Sequence, residues 1–183
     1  MEAAGCNVCN ANDFDVVRFE QFTDFFHEQQ VHPVLTCVCR NCGHVFTSPR
    51  MTEAELAIFY KNQLRESFSV PRGEKIGLFY ADMQVIQKLL GAGNGRRALE
   101  VGCYTGYMLK HLAEHGWVPE GLEPNSESAR CARELFGFPV FEEMVENFTA
   151  KEPYDLIVMG SVLEHVNNPL KILYAVYSLL KDG

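Results

Sequence analysis

Four groups of residues in this chain are spaced for chemistry. Cys6-Asn-Val-Cys9 and Cys39-Arg-Asn-Cys42-Gly43 are two C-x-x-C pairs. Each pair puts two thiolates on one side of a tight turn, and two pairs complete a tetrahedral Zn²⁺ site with Zn–S distances of ~2.3 Å. A closed four-thiolate site has no position for substrate water, so such an ion would be scaffolding. Next comes Glu100-x-Gly102-x-x-x-Gly106, an acid and two glycines at the end of the short apolar run Ala98–Val101. Glycines there permit positive φ angles and let helix-start N–H groups approach a ligand. Glu123 follows Gly102 by about 20 residues, the interval at which an acid at the next strand tip accepts ribose hydroxyls. Last is Glu164-His165, a carboxylate beside an imidazole whose ordinary pKa suits proton transfer near neutrality.

The elements that must position these groups divide the chain in three: 1–50, 51–95 and 96–183. Residues 1–50 read as a zinc ribbon in which a β-hairpin, including Phe14–Phe19 and Val34–Val38, fills the gap between knuckles. Cys37 shares a face with Cys39 on an extended segment, so it reads as a core or spare thiol. His44 is an alternative metal ligand by type, but reads as a strand residue after the knuckle. Pro49 ends that strand, and Thr52 with Glu55 forms a capping box for a short helix. Residues 62–75 are polar and read as loop. Phe79–Leu90 predicts a helix with the stripe Phe79, Met83, Val85, Ile86, Leu89 and Leu90, closed by the glycines of 91–95.

Strand, glycine turn and helix then open an α/β domain. The helix runs over Tyr107–His115, a second strand over Trp117–Glu123, and a helix over Ser126–Leu135 with Ala129, Ala132 and Leu135 inward. Strands at Pro139–Phe141 and Tyr154–Gly160 follow, with a final helix over Leu170–Leu180 whose stripe is Leu170, Leu173, Val176, Tyr177 and Leu180.

Composition removes several function classes. The formal charge of −8 and the 47% hydrophobic content disfavour a nucleic-acid surface and general disorder. No apolar run reaches the ~20 residues of a membrane span, and no secretion signal is visible. A cytoplasmic protein is expected, with its early cysteines as metal ligands rather than disulfides. A dinucleotide G-x-G-x-x-G would need glycines at 104 and 107, where the chain has Tyr104 and Tyr107, which disfavours an NAD-dependent oxidoreductase.

Three stretches carry a family resemblance. Cys39–Tyr60, as C-x-x-C-G-H-V-F-T-S-P-R-x-T-E-x-E-L-x-x-x-Y, resembles the ribbon-to-helix junction of bacterial S-adenosylmethionine (SAM) methyltransferases with an N-terminal zinc-binding domain. Sugar and secondary-metabolite C-methyltransferases are among these. Glu100–Gly106 resembles their motif I, E/D-x-G-x-G-x-G, with Tyr104 at the middle glycine. Gly121-Leu-Glu123-Pro124-Asn is similar to their second motif, and Asp155–Pro169 to their strand-four segment ending V-L-E-H-V-x-x-P.

The resemblance implies a class I Rossmann-like sheet with strands one to four present and five to seven absent. It implies SAM as cofactor, held by Glu100, Gly102, Cys103, Tyr104 and Gly106 at its methionine part and by Glu123 and Pro124 at the ribose. Glu143, with Glu146 as the alternative, would meet the adenine amine, and Ser161 would face the donor. Glu164 and His165 are either the acid–base pair or capping and packing groups. Related enzymes use Glu-x-x-Glu-His for a metal; Ser161 replaces the first Glu here, so no catalytic metal is expected. The acceptor would be a small polar molecule, and the unpaired apolar edge of strand four could associate with another copy. The sequence reads as a fragment or truncated frame that retains the donor-facing motifs without methylating by itself. The competing reading is a non-catalytic zinc-ribbon and Rossmann-like interaction module.

Overall fold

The computed structural model describes residues 2–23, 31–62 and 73–182. The chain forms two compact units, one of Met1–Phe59 with Val166–Lys171 and one of Tyr60–His165 with Ile172–Gly183. Among the described residues no helix is long and apolar enough to cross a membrane.

The first unit is built on an antiparallel sheet in the order β1-β2-β3, with β1 at Phe14–Thr23, β2 at Val31–Cys39 and β3 at Val45–Ser48. β1 and β2 form the hairpin expected between the knuckles, with a register irregularity between Val16 and Arg18. Alternation along β2 turns Cys37 and Cys39 to one face, where they are buried with Cys6 and Phe46. Phe14 meets Phe46 edge to face at 5.4 Å. Both knuckles close on left-handed residues, Asn10 at φ 60° and Gly43 at φ 75°. His44 lies one residue before β3, not in it. Its carbonyl accepts the Cys39 N–H at 2.9 Å and so belongs to the knuckle turn. Helix α1 (Glu53–Asn62) begins with the predicted capping box: Thr52 Oγ1 accepts from Glu55 N at 3.2 Å, and Glu55 Oε2 accepts from Thr52 N at 2.7 Å.

The second unit opens with α2 (Gly73–Leu90), which starts before the predicted Phe79; of the loop predicted over 62–75, residues 63–72 lie outside the described residues. Four parallel strands follow in the order β6-β5-β4-β7: β4 is Arg97–Val101, β5 Val118–Leu122, β6 Val140–Phe141 and β7 Leu156–Val158. α3 (Tyr107–Glu114) links β4 to β5, α4 (Ser126–Phe136) links β5 to β6, and α5 (Pro169–Leu179) follows β7. β4 is central and almost wholly buried, as its continuous apolar run requires. One core cluster gathers Met83, Ala98, Met108, Leu112 and Trp117, and another gathers Cys103, Leu109, Ala129, Ala132 and Val140.

Three predicted helix stripes are corrected. On α5 the buried residues are Ile172, Val176 and Leu179, while Leu170, Leu173 and Tyr177 are exposed. Two apolar stripes lie side by side on this helix, and the one without a phenolic hydroxyl is buried. On α4 Leu135 is exposed. Phe136 instead meets Tyr107 edge to face at 5.2 Å, so the last turn packs one residue later. On α2 Met83 is buried, but Val85, Leu89 and Leu90 are exposed. β7 stands at the edge of the sheet, next to β4 alone among the described strands, and just before it Tyr154 makes an isolated parallel bridge to Leu180.

Polar groups fix the amino-terminal edge of this sheet. The Arg97 guanidinium lies 4.4 Å from the Tyr154 ring centroid and pairs with Glu120 at 3.1 Å, and the Tyr154 hydroxyl donates to Glu120. Asp155 accepts from the Arg97 backbone N–H and from Lys181. At the opposite edge space is short. A Cβ on Gly121 would lie 2.5 Å from Cys103 Sγ and 3.1 Å from Leu109 Cδ1. Gly121→Ala therefore overpacks the floor of the β4–α3 turn and should cost ~1–3 kcal/mol. Calorimetric unfolding checks this: a melting temperature lowered by several degrees is expected, and an unchanged one would contradict the packing described.

Candidate functional site

The site lies where the carboxyl ends of β4 and β5 meet. Leaving β4, the chain has Gly102 at φ 72°, Tyr104 at φ 48° and Gly106 at φ 82° before α3 begins. A Cβ on Gly102 would lie 2.9 Å from Val162 Cγ2, and one on Gly106 would lie 3.0 Å from Ala132 Cβ. Both glycines are thus needed for their conformation and for space. Tyr104 occupies the left-handed region as a non-glycine residue, at a cost of about 1–2 kcal/mol.

Glu123 offsets that cost. Its Oε2 accepts the Tyr104 N–H at 2.9 Å and its Oε1 accepts the Asn125 N–H at 2.9 Å. Asn125 in turn caps α4 by accepting from Glu127 N and Ser128 N, each at 3.0 Å. Glu123 itself is 8% exposed, and burial pushes its carboxyl up, against the two backbone N–H groups that favour the charged form.

Glu100 is buried too. It accepts a backbone hydrogen bond from Leu109 in the first turn of α3, while its Oε2 is enclosed with no partner. Burial first, and the Glu123 charge second, push its carboxyl well above the usual range. Two acids thus share one low-dielectric edge, an arrangement that favours a proton or a ligand cation beside them.

The other sequence-predicted residues are placed as follows. The Cys103 side chain is in the core, its thiol pushed up by burial and then by the charges of Glu100 and Glu123, so only its backbone is left for a ligand. Pro124 is half-buried between Glu123 and Asn125. Glu143 is exposed on a bend. Glu146, the alternative acid, is half-buried with Oε2 enclosed and without a partner. Near it in sequence, Phe141 and Phe148 have ring centroids 5.1 Å apart. Ser161 is exposed at φ 53°. Glu164 and His165 lie in the 3₁₀ turn Leu163–His165, with His165 Nε2 4.0 Å from Glu164 Oε1 and both side chains about half exposed. Sequence reasoning missed Asn125 and Val162. Asn125 stood in the quoted G-L-E-P-N string as a helix-cap type, whereas the contact of Val162 with Gly102 had no local signal.

In the first unit, the sulfurs of Cys6, Cys9, Cys39 and Cys42 all lie within 4.8 Å of one another. Cys6 Sγ is 3.6 Å from Cys42 Sγ, and Cys9 Sγ is 3.5 Å from Cys39 Sγ. A tetrahedron with Zn–S of ~2.3 Å needs sulfurs about 3.8 Å apart, so the donor set fits that ion. The side chain of Asn41 and the backbone of Ala11 lower the Cys9 thiol to about 6, while the Cys42 thiol, against a backbone hydrogen bond at His44, is pushed up to about 12 by burial and by Cys9, Cys6 and Cys39. Cys37 is outside the quartet; its thiol points to the Leu35 carbonyl at 3.8 Å and burial pushes its pKa up.

Comparison with known proteins agrees with this architecture. The family model described as "Methyltransferase domain" matches residues 76–183. A ubiquinone biosynthesis O-methyltransferase of Klebsiella pneumoniae is 31% identical over 96 residues, 49% of this chain and 40% of that protein. One from Bordetella avium is 31% identical over 111 residues, covering 55% and 45%. The chain thus spans less than half the length of these curated relatives. Among solved structures, magnesium protoporphyrin IX methyltransferase from Synechocystis PCC 6803 with bound SAM superposes with a TM-score of 0.57 at 14% identity, covering 73% of this chain and 74% of that one. The plantazolicin methyltransferase BpumL, bound to a substrate analogue and S-adenosylhomocysteine, gives 0.52 at 17% identity, covering 70% and 48%. These two show the shared α/β fold. With the family model covering more than half of the sequence, from within α2 through α5, this chain belongs to the methyltransferase domain family.

Proposed function

We propose that the chain binds SAM at the carboxyl edge of β4 and β5 and takes part in methyl transfer to a small polar acceptor. The observation that carries this is the enclosed pair Glu100 and Glu123 around a turn with three left-handed residues. Both oxygens of Glu123 already accept a backbone N–H, and a carboxylate has lone pairs left for two ribose hydroxyls. Glu100, with one oxygen lacking a partner, suits the ammonium of the donor's methionine part, with the amides at the start of α3 nearby. Glu146 suits the adenine amine better than the exposed Glu143.

SAM supplies an electrophilic methyl on a sulfonium, and transfer requires an acceptor aligned with that carbon and relieved of its proton. Glu164 and His165 are placed in this reading as the acid–base pair, since Val162 in the same segment packs on Gly102. The ribbon resemblance points to a sugar nucleotide or secondary metabolite as acceptor. The names of the curated relatives favour a second reading, in which the acceptor atom is oxygen. Cys6, Cys9, Cys39 and Cys42 would hold a structural Zn²⁺.

Titration calorimetry with SAM and S-adenosylhomocysteine tests the donor site. Wild type should bind both, and Glu123→Ala should bind each at least tenfold more weakly, the ~1.4 kcal/mol or more of a lost charge-assisted hydrogen bond. No heat from wild type would sink the proposal in favour of a non-catalytic module.

A pH experiment isolates Glu100. Its carboxyl is raised from 4.5 in the fold, so the stability it contributes is present below about pH 4.5 and is lost as pH rises through the raised value. Glu100→Gln should remove that loss. Its melting temperature should exceed that of wild type at pH 7, with the gap closing toward pH 4.5, while donor affinity falls at least tenfold. A variant less stable than wild type at pH 7 would contradict the burial argument.

The metal reading predicts one zinc per chain by elemental analysis, retained in Cys37→Ser and lost in Cys42→Ser. Equal zinc in both variants would rule the four-thiolate assignment out.

A further inference from the structure

The outer strand of the first unit's sheet is uncovered along its length. β1 stands first in the order β1-β2-β3 and pairs with β2 alone among the described strands. Its other side presents backbone N–H and C=O groups with no strand beside them, a template for a further strand. Every residue from Asp15 to Gln21 is exposed. Val16, Val17 and Phe19 are 52, 60 and 61% exposed, although a strand in an antiparallel sheet normally packs one face on a core.

Free strand edges are guarded against pairing by charge. On β1 the guards are Arg18 and Glu20, opposite in sign and two residues apart, with Arg18 Nη2 2.7 Å from Glu20 Oε1. Their order makes the strand complementary to itself in one register. An antiparallel pair matches residues whose backbone groups point the same way, so a two-fold axis passes where a residue meets itself. An axis at Arg18 or at Glu20 sets like charges directly opposite, which is destabilising. An axis at Gln21 sets Glu20 opposite Phe22 and forfeits the charge match. An axis at Phe19 sets Arg18 opposite Glu20 twice and Phe19 opposite Phe19, all favourable cross-strand pairs.

The same register extends an apolar row. Phe19 is opposite Leu35 of β2, and Leu35 packs on the buried cluster of Cys6, Cys37, Cys39 and Phe46. Pairing Phe19 with its copy joins Leu35, Phe19 and their two equivalents across the axis. The register irregularity between Val16 and Arg18 precedes these central pairs.

We propose that two copies of this chain associate through β1, antiparallel about a two-fold axis at Phe19, joining their three-stranded sheets into one. One edge pairing buries little surface beside a permanent dimer, so the association is a concentration-dependent equilibrium.

Sedimentation velocity of the full chain over a concentration series tests this. Wild type should shift from monomer to dimer as concentration rises. R18E and E20R each turn both charge pairs repulsive and should weaken self-association at least tenfold. Mixed in equal amounts, these two variants should form a heterodimer, because acids on one strand then face bases on the other. The double variant R18E/E20R should self-associate like wild type. Both side chains are exposed, at 71 and 46%, so the substitutions leave each copy folded, and a misfolded variant would not recover on mixing. A wild type that stays monomeric at every concentration, single variants that dimerise as well as wild type, or a mixture that stays monomeric would overturn the proposal. Dimers indifferent to these charges would place the contact on another face.

Discussion

The carboxylate of Glu123 is the constraint on which the second unit's site depends. Its two oxygens tie the backbone of Tyr104, in the turn after β4, to that of Asn125, at the cap of α4. That link holds a non-glycine residue at φ 48°. The link also sets the electrostatics. To reach both amides the acid must be buried, and its charge then adds to the penalty on Glu100. One side chain therefore shapes the turn and charges the edge that a cationic ligand would meet.

The same geometry accounts for the unusual motif. A glycine at position 104 would adopt this conformation at no steric cost. Tyrosine adopts it because an acid one strand away accepts its N–H, and backbone strain of this kind persists only where its surroundings over-determine it. Val162 adds a second restraint by packing where a Gly102 Cβ would stand. The turn is thus held from the β5 side by a hydrogen bond and from the β7 side by contact.

Much of this was legible in the sequence, for local reasons. Glycines with positive φ, the capping box at Thr52 and Glu55, and the two knuckles each leave a fixed pattern over a few residues, and each is found where the pattern put it. What was not legible depends on packing. Periodicity allowed two adjacent stripes on α5, and burial chose Ile172, Val176 and Leu179. In the acidic run after β6, spacing could not say which carboxylate turns inward; Glu143 is exposed and Glu146 is not. His44 reads from the sequence as a strand residue, whereas it lies one residue before β3 and its carbonyl accepts the Cys39 N–H.

A crystal structure of the chain grown with S-adenosylhomocysteine would test the central claim most directly. The account predicts the nucleoside at the carboxyl edge of β4 and β5, its ribose hydroxyls within hydrogen-bond distance of Glu123 and its methionine part over Gly102–Gly106. A ligand bound elsewhere, or a Glu123 carboxylate still bonded only to Tyr104 and Asn125 with no ligand beside it at saturating concentration, would contradict it.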